Sequence, residues 1–186
     1  DKGYETTINL MAVSTVGLRE LDEGLADLAK SRVPVIYVVD SFGAFYQEDV
    51  EVLVKKYMDQ LPGKTIGIHA HNNQQLAFSN TIAAIIAGAN YLDGTLYGMG
   101  RGAGNCPLEL LVSFLKNPKF KVRPLIEAIE KEVLPWREKV DWGYFIPYMI
   151  TGTMNQHPRA AMAVMDSDRK NDLTAFWDQI HDETTS

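Results

Sequence analysis

The stretch Thr65–Gly88, "TIGIHAHNNQQLAFSNTIAAIIAG", decides how the rest of the chain is read. Its first part alternates apolar and small or polar residues, as a strand over Thr65–His71 would. Its second part, Gln75–Gly88, is rich in alanine and isoleucine and closes on a glycine, which reads as a small-residue helix. Between them stand two histidines and two asparagines, in a chain with only 4 histidines. One strand followed by one helix is a unit, and the neighbouring sequence repeats it.

Upstream, Thr6–Val13 ("TTINLMAV") is β-branched and apolar, a strand candidate, and Leu18–Lys30 carries leucines at 18, 21, 25 and 28 with helical spacing. Val33–Val39 ("VPVIYVV") is apolar almost throughout, as suits a strand covered on both faces, and Glu48–Leu61 reads as a helix with acids before lysines. Downstream, Tyr91–Leu96 reads as a strand and Cys106–Leu115 as a helix. Strand–helix alternation with a unit of about 30 residues implies parallel strands with helical crossovers. Two architectures fit: an open doubly wound sheet, or a (β/α)8 barrel, of which four units make half. The segment from Arg123 reads as helices interrupted by Pro135, Pro147 and Pro158.

Composition narrows the class. The chain has 186 residues, 46% hydrophobic and 23% charged, an ordinary globular balance. A net charge of −6 argues against nucleic acid as a partner. No apolar run is long enough for a membrane span and no signal-peptide pattern opens the chain, so no membrane partner is expected. The single cysteine, Cys106, has no local cationic partner and suits a reducing compartment, hence an expected cytoplasmic location. The chain opens "DKGYETT", without methionine, which reads as the interior of a longer protein.

Candidate chemistry gathers at the C-terminal ends of the strands, where α/β folds bind ligands. His69 and His71, two apart on a strand, share a face with Cα atoms about 6.6 Å apart, so both imidazoles can reach one cation. The competing reading is one backbone-bonded core histidine and one incidental one. Glycines 98, 100, 102 and 104 alternate in "GMGRGAGN", which is neither G-x-G-x-x-G nor a P-loop. That run can cradle an anion, or be a tight turn with Asn105 as N-cap and Pro107 in the first helical turn. Asp40-Ser41 ends a strand at the same rim, with turn formation an equal alternative. Tyr144 and Tyr148, at i and i+4, read from spacing as core packing, and His157 and Arg159 as surface or interface residues.

The segments "VIYVVDSFGA", "GIHAHNN", "GMGRGAGNCPLE" and "GYFIPY" together resemble the DRE-TIM metallolyases, the HMGL-like aldolases and lyases, and among them the 4-hydroxy-2-oxovalerate aldolases, over about Thr6–Thr151. The resemblance implies that the four strands are the fifth to eighth of a (β/α)8 barrel, the C-terminal half, with residues 1–122 forming the half barrel and 123–186 a C-terminal helical region. It implies a divalent metal, manganese first, with magnesium, cobalt or zinc as alternatives, held by His69, His71 and Asn105. It implies Tyr148 and Ser41 as catalytic residues, with Asp40 and Asn73 contacting a small-molecule 2-oxo acid. The reaction would be cleavage or formation of a C–C bond in a 4-hydroxy-2-oxo acid through a metal-stabilised enolate. An acyl-CoA lyase or Claisen-type acyltransferase, and a non-catalytic fragment or interaction domain, are the alternatives.

The departures matter as much. The family's Arg-Asp segment, which supplies a further metal ligand, is absent from these 186 residues. Ser14 stands where the aldolases have histidine, Gln74-Gln75 replace a small apolar stretch, and Arg101-Gly102 replace the Glu-Arg of the acyltransferases. The chain alone is therefore expected to be inactive, and to be completed by the other barrel half or by homo-oligomerisation.

Overall fold

The computed structural model describes residues 2–185. Four strands, β1 (Thr7–Leu10), β2 (Val35–Asp40), β3 (Thr65–Ala70) and β4 (Tyr91–Leu92), form one parallel sheet in the order β1-β2-β3-β4. The order follows the chain without a reversal. A doubly wound sheet reverses at a switch point, whereas a barrel wall is laid down strand by strand, so the order sides with the barrel. All six residues of β2 are buried, as its unbroken apolar run requires. β2 starts at Val35 rather than Val33, because Pro34 has no N–H to give to a ladder.

The chain divides into two compact units. The first holds the residues up to Ser41, Phe45–Ala70 and Ser79–Asp93, and so contains the whole sheet. Within it α1 (Leu18–Lys30) buries Leu21 and Leu25, one helical turn apart, while Leu18 in the first turn stays exposed. In α2 (Gln47–Gln60), Val50, Val54 and Tyr57 form the buried stripe, and α2 packs on β2 and β3. Asp22 of α1 is paired with Lys56 and accepts a hydrogen bond from Gln60 Nε2 at 2.7 Å, tying the two helices together. The Tyr57 ring is fully buried and its hydroxyl makes no hydrogen bond among the described residues. In β3, Gly67 lies opposite Tyr37 of β2, and a Cβ there would stand 2.7 Å from the Tyr37 ring, so the missing side chain is what seats that tyrosine.

The second unit holds Phe42–Ala44, His71–Phe78 and the residues from Gly94 on. The strand expected over Tyr91–Leu96 stops at Leu92. From Thr95 the chain pairs instead with the 105–108 segment: Thr95 N–H donates to Cys106 O at 3.0 Å, and Leu108 N–H to Thr95 O at 2.9 Å. A 3-10 turn, Leu96–Gly98, follows. Helix α4 (Leu108–Leu115) then begins two residues later than expected, with Pro107 rather than Asn105 at the N-cap. The crossover helix α3 (Ala77–Ala87) also starts late, because Gln75 takes a left-handed φ of 62°.

Beyond it lie α5 (Val122–Ala128), a π turn over Ile129–Val133, and α6 (Leu134–Arg137), with Pro135 just after the π turn. Then come α7 (Ile146–Thr153), α8 (Arg159–Met165) and α9 (Leu173–Thr185), with Pro147 in the first turn of α7 and Pro158 at the N-cap of α8. Ala103, Tyr148, Ile150, Ala161, Phe176 and Ile180 form this unit's apolar core. Among the described residues no helix is long and apolar enough to cross a membrane.

Candidate metal centre

Each unit carries its own cluster of polar side chains, and the chain passes from one unit to the other between Ala70 and His71. In the sheet unit, His69 is the penultimate residue of β3, and its Nδ1 lies 3.0 Å from Asp93 Oδ2. Asp93 follows β4 directly and is anchored by its own N–H, which donates to Ile68 O at 3.0 Å. Tyr37 lies beside them. Its phenol lies beside the Asp93 carboxylate, and burial first, then that negative charge, push its pKa well above the usual phenol range.

The two rim residues of β2 are both engaged with backbone. The Asp40 carboxylate accepts the Phe45 N–H at 3.3 Å and so shapes the turn into α2. Ser41 Oγ accepts the Ala12 N–H at 2.7 Å, bracing the chain after β1. By strand alternation Asp40 faces away from the side on which His69 and its register partner Val39 lie.

In the loop-and-helix unit, His71 lies outside β3, contrary to the strand expected through it. It forms an antiparallel bridge with Asn105, and the next residue, Asn72, donates its N–H to Gly104 O at 2.9 Å. Asn105 is thus brought beside His71 by backbone pairing. Its side-chain Nδ2 donates to Met99 O at 3.1 Å, which leaves the amide oxygen as its ligand-capable atom. Asn73 is buried, and its Nδ2 donates to Tyr148 O at 3.2 Å.

Tyr148 is 7% exposed and Tyr144 56%, which separates the two tyrosines that spacing could not. The Tyr148 ring lies on Gly102: a Cβ there would stand 2.6 Å from the ring, and Gly102 has φ +59°. At Gly104, φ +82°, a Cβ would collide with the Gly98 carbonyl oxygen. The glycine run is therefore a backbone surface that seats an aromatic ring and closes on itself. Burial and Asp166 raise the pKa of Tyr148, with Arg101 opposing them, so the phenol keeps its proton at neutral pH.

The donor types suit a divalent ion in part. Two imidazoles and an amide oxygen are ligands that manganese, cobalt and zinc accept. The His69–Asp93 pair has the form in which ligating histidines are held by a carboxylate. Among the described residues, however, no group of three or more His, Cys, Asp or Glu could hold a metal ion. A depression of about 520 Å³ lined by Tyr144, Phe145, Met165 and Lys170 contains none of the residues to which the resemblance assigns a role. Tyr37 and Asp93 escaped the sequence reading. Asp93 had a signal, since "YLDG", like "VVDS", puts an aspartate where an apolar run ends.

A family model described as HMGL-like matches residues 1–131, and the chain belongs to that family. Its relatives include the 4-hydroxy-2-oxovalerate aldolase of Thermus thermophilus, 47% identical over 100 residues, covering 52% of this chain and 29% of the relative. Another is the oxaloacetate decarboxylase of Mycobacterium tuberculosis, 40% identical over 126 residues, covering 62% and 34%. The chain thus spans about a third of the length of the curated relatives it matches. Among solved structures, the N-terminal domain of a Bacteroides vulgatus protein described as an aldolase matches with a TM-score of 0.70 at 29% identity, covering 92% of this chain and 58% of that one. The carboxyl transferase domain of Rhizobium etli pyruvate carboxylase matches at 0.65 with 18% identity, covering 94% and 32%, a likeness of fold.

Proposed function

We propose that this chain carries part of the active site of a divalent-metal aldolase acting on 4-hydroxy-2-oxo acids, with residues 1–122 as strands five to eight of a (β/α)8 barrel and residues 123–186 as appended helices. The observation that carries the reading is the pairing of His71 with Asn105, two residues beyond the Asp93-bound His69. His69, His71 and Asn105 would hold the ion. When bound, it supplies Lewis-acid stabilisation for the enolate charge that develops at the 2-oxo group.

The chain's own groups do the rest. Tyr148, kept protonated by its buried setting, moves a proton at the oxygen of the hydroxyl-bearing carbon. Ser41 hydrogen-bonds the substrate and Asp40 and Asn73 contact it, Asp40 also accepting the Phe45 N–H and Asn73 donating to Tyr148 O in α7. The Arg-Asp segment and the remaining ligands would come from the other barrel half or from a second copy. A reducing cytoplasm suits the lone, buried Cys106.

The test is the full-length protein: metal content, and pyruvate release from 4-hydroxy-2-oxo acids, with His69→Ala and His71→Ala as controls. Absence of both metal and pyruvate would sink the reading. A second reading is supported by the relative named oxaloacetate decarboxylase, 40% identical. Carbon dioxide from oxaloacetate, with no aldehyde from hydroxy-oxo acids, would favour it. Thiol release from acetyl-CoA with 2-oxo acids would point to the acyl-transfer alternative.

A further inference from the structure

We propose that Asp93 is the positioning residue of this site: it fixes the His69 imidazole in one tautomer, with its proton on Nδ1 and its lone pair at Nε2. The inference rests on the metal reading above for its use, but not for its geometry. Asp93 Oδ2 stands 3.0 Å from His69 Nδ1, and a carboxylate can only accept, so a neutral ring must carry its proton on Nδ1.

The carboxylate is positioned from both sides. Its main chain is tied to β3 through Asp93 N–H to Ile68 O, at 3.0 Å. The carboxylate itself lies beside the Tyr37 phenol of β2. The Tyr37 ring reaches across only because Gly67 leaves its place empty, and Tyr91 meets the ring edge-on with centroids 6.5 Å apart. Three successive strands thus each contribute to the orientation of one imidazole. A ring so held presents the same nitrogen to a cation at every encounter, which lowers the ordering entropy of ligation.

The experiment uses the full-length protein labelled with ¹⁵N-histidine, stripped of metal by chelation and held at about pH 8, where an ordinary imidazole is neutral. His69→Gln assigns the resonance. The wild type is expected to show a protonated Nδ1 and an unprotonated Nε2. Asp93→Asn, whose amide can donate or accept, is expected to mix the tautomers and to weaken Mn²⁺ binding by about 10–100-fold with the thermal midpoint little changed. Tyr37→Phe is expected to keep the Nδ1 proton and lose less affinity.

A wild-type His69 protonated on Nε2 overturns the proposal, and so does an Asp93→Asn protein with wild-type tautomer and affinity. Should Asp93→Asn fail to fold, the wild-type and Tyr37→Phe tautomers still decide it. The expected tautomers in a protein that binds no Mn²⁺ would overturn the metal reading and leave the Asp93–His69 coupling standing.

Discussion

Gly102 has no room for a side chain, since the face of the Tyr148 ring occupies that space. A methyl there must displace the ring while adopting φ +59°, a conformation that costs a non-glycine residue roughly 1–3 kcal/mol. Gly102→Ala is therefore expected to lower the thermal midpoint and, under the proposed function, to reduce kcat of the full-length protein by on the order of 10–100-fold by moving the phenol. Denaturant melts and steady-state kinetics read the two effects separately. Tyr57 gives the opposite sign. Its buried hydroxyl has no hydrogen-bond partner among the described residues, so Tyr57→Phe removes an unsatisfied group without opening a cavity. The expected gain is about 1 kcal/mol, a rise in Tm of roughly 2–4 °C by calorimetry.

Elements with their own periodicity were legible before any coordinates. α1 coincides with the helix its leucine spacing predicts and α2 lies within one residue of its own, because leucine and valine spacing is a local signal. β4 and the start of α4 were misplaced for a physical reason: Thr95 pairs with Cys106 and Leu108, a long-range exchange that no window of neighbouring residues contains. The site shows the same division. The two histidines stand two apart in the sequence, though only His69 lies on the strand, whereas His69–Asp93 and Asn73–Tyr148, 24 and 75 residues apart, have no local signal. The link between α1 and α2 yields a prediction about acid. Lys56, then Gln60, hold the Asp22 carboxyl below its ordinary pKa. Its contribution is present above the unfolded value of about 3.9 and is lost as pH falls through the lower folded value. Asp22→Asn is expected to flatten the acid limb of the stability profile in that window, measured by urea unfolding.

For the whole molecule, the alkaline limb is set by tyrosines. Burial raises Tyr37 and Tyr57 alike, so both stay protonated in the fold while the unfolded chain loses these protons above about pH 10. Stability should be intact below that pH and fall above it, more shallowly in Tyr57→Phe. Among the described residues β1 is hydrogen-bonded to a strand on one side only, which leaves an edge able to template pairing. The 186-residue chain by itself is expected to self-associate in size-exclusion chromatography, and a monodisperse monomer would contradict this.

The π turn carries a consequence of another kind. Inward positions along this helical run recur at Leu125, Ile129, Val133 and Arg137, every fourth residue. In a straight α-helix of 3.6 residues per turn, such a row slides around the cylinder by about 40° at each step. The wide turn at Ile129–Val133 absorbs that slippage. It thereby delivers Val133 and Arg137 to Trp142, whose indole N–H in turn donates to Tyr97 O at 3.0 Å, at the head of the glycine run. One turn of wider pitch thus works as a phase corrector, and removing a single residue from it would swing Arg137 off the indole that backs the Tyr148 cradle.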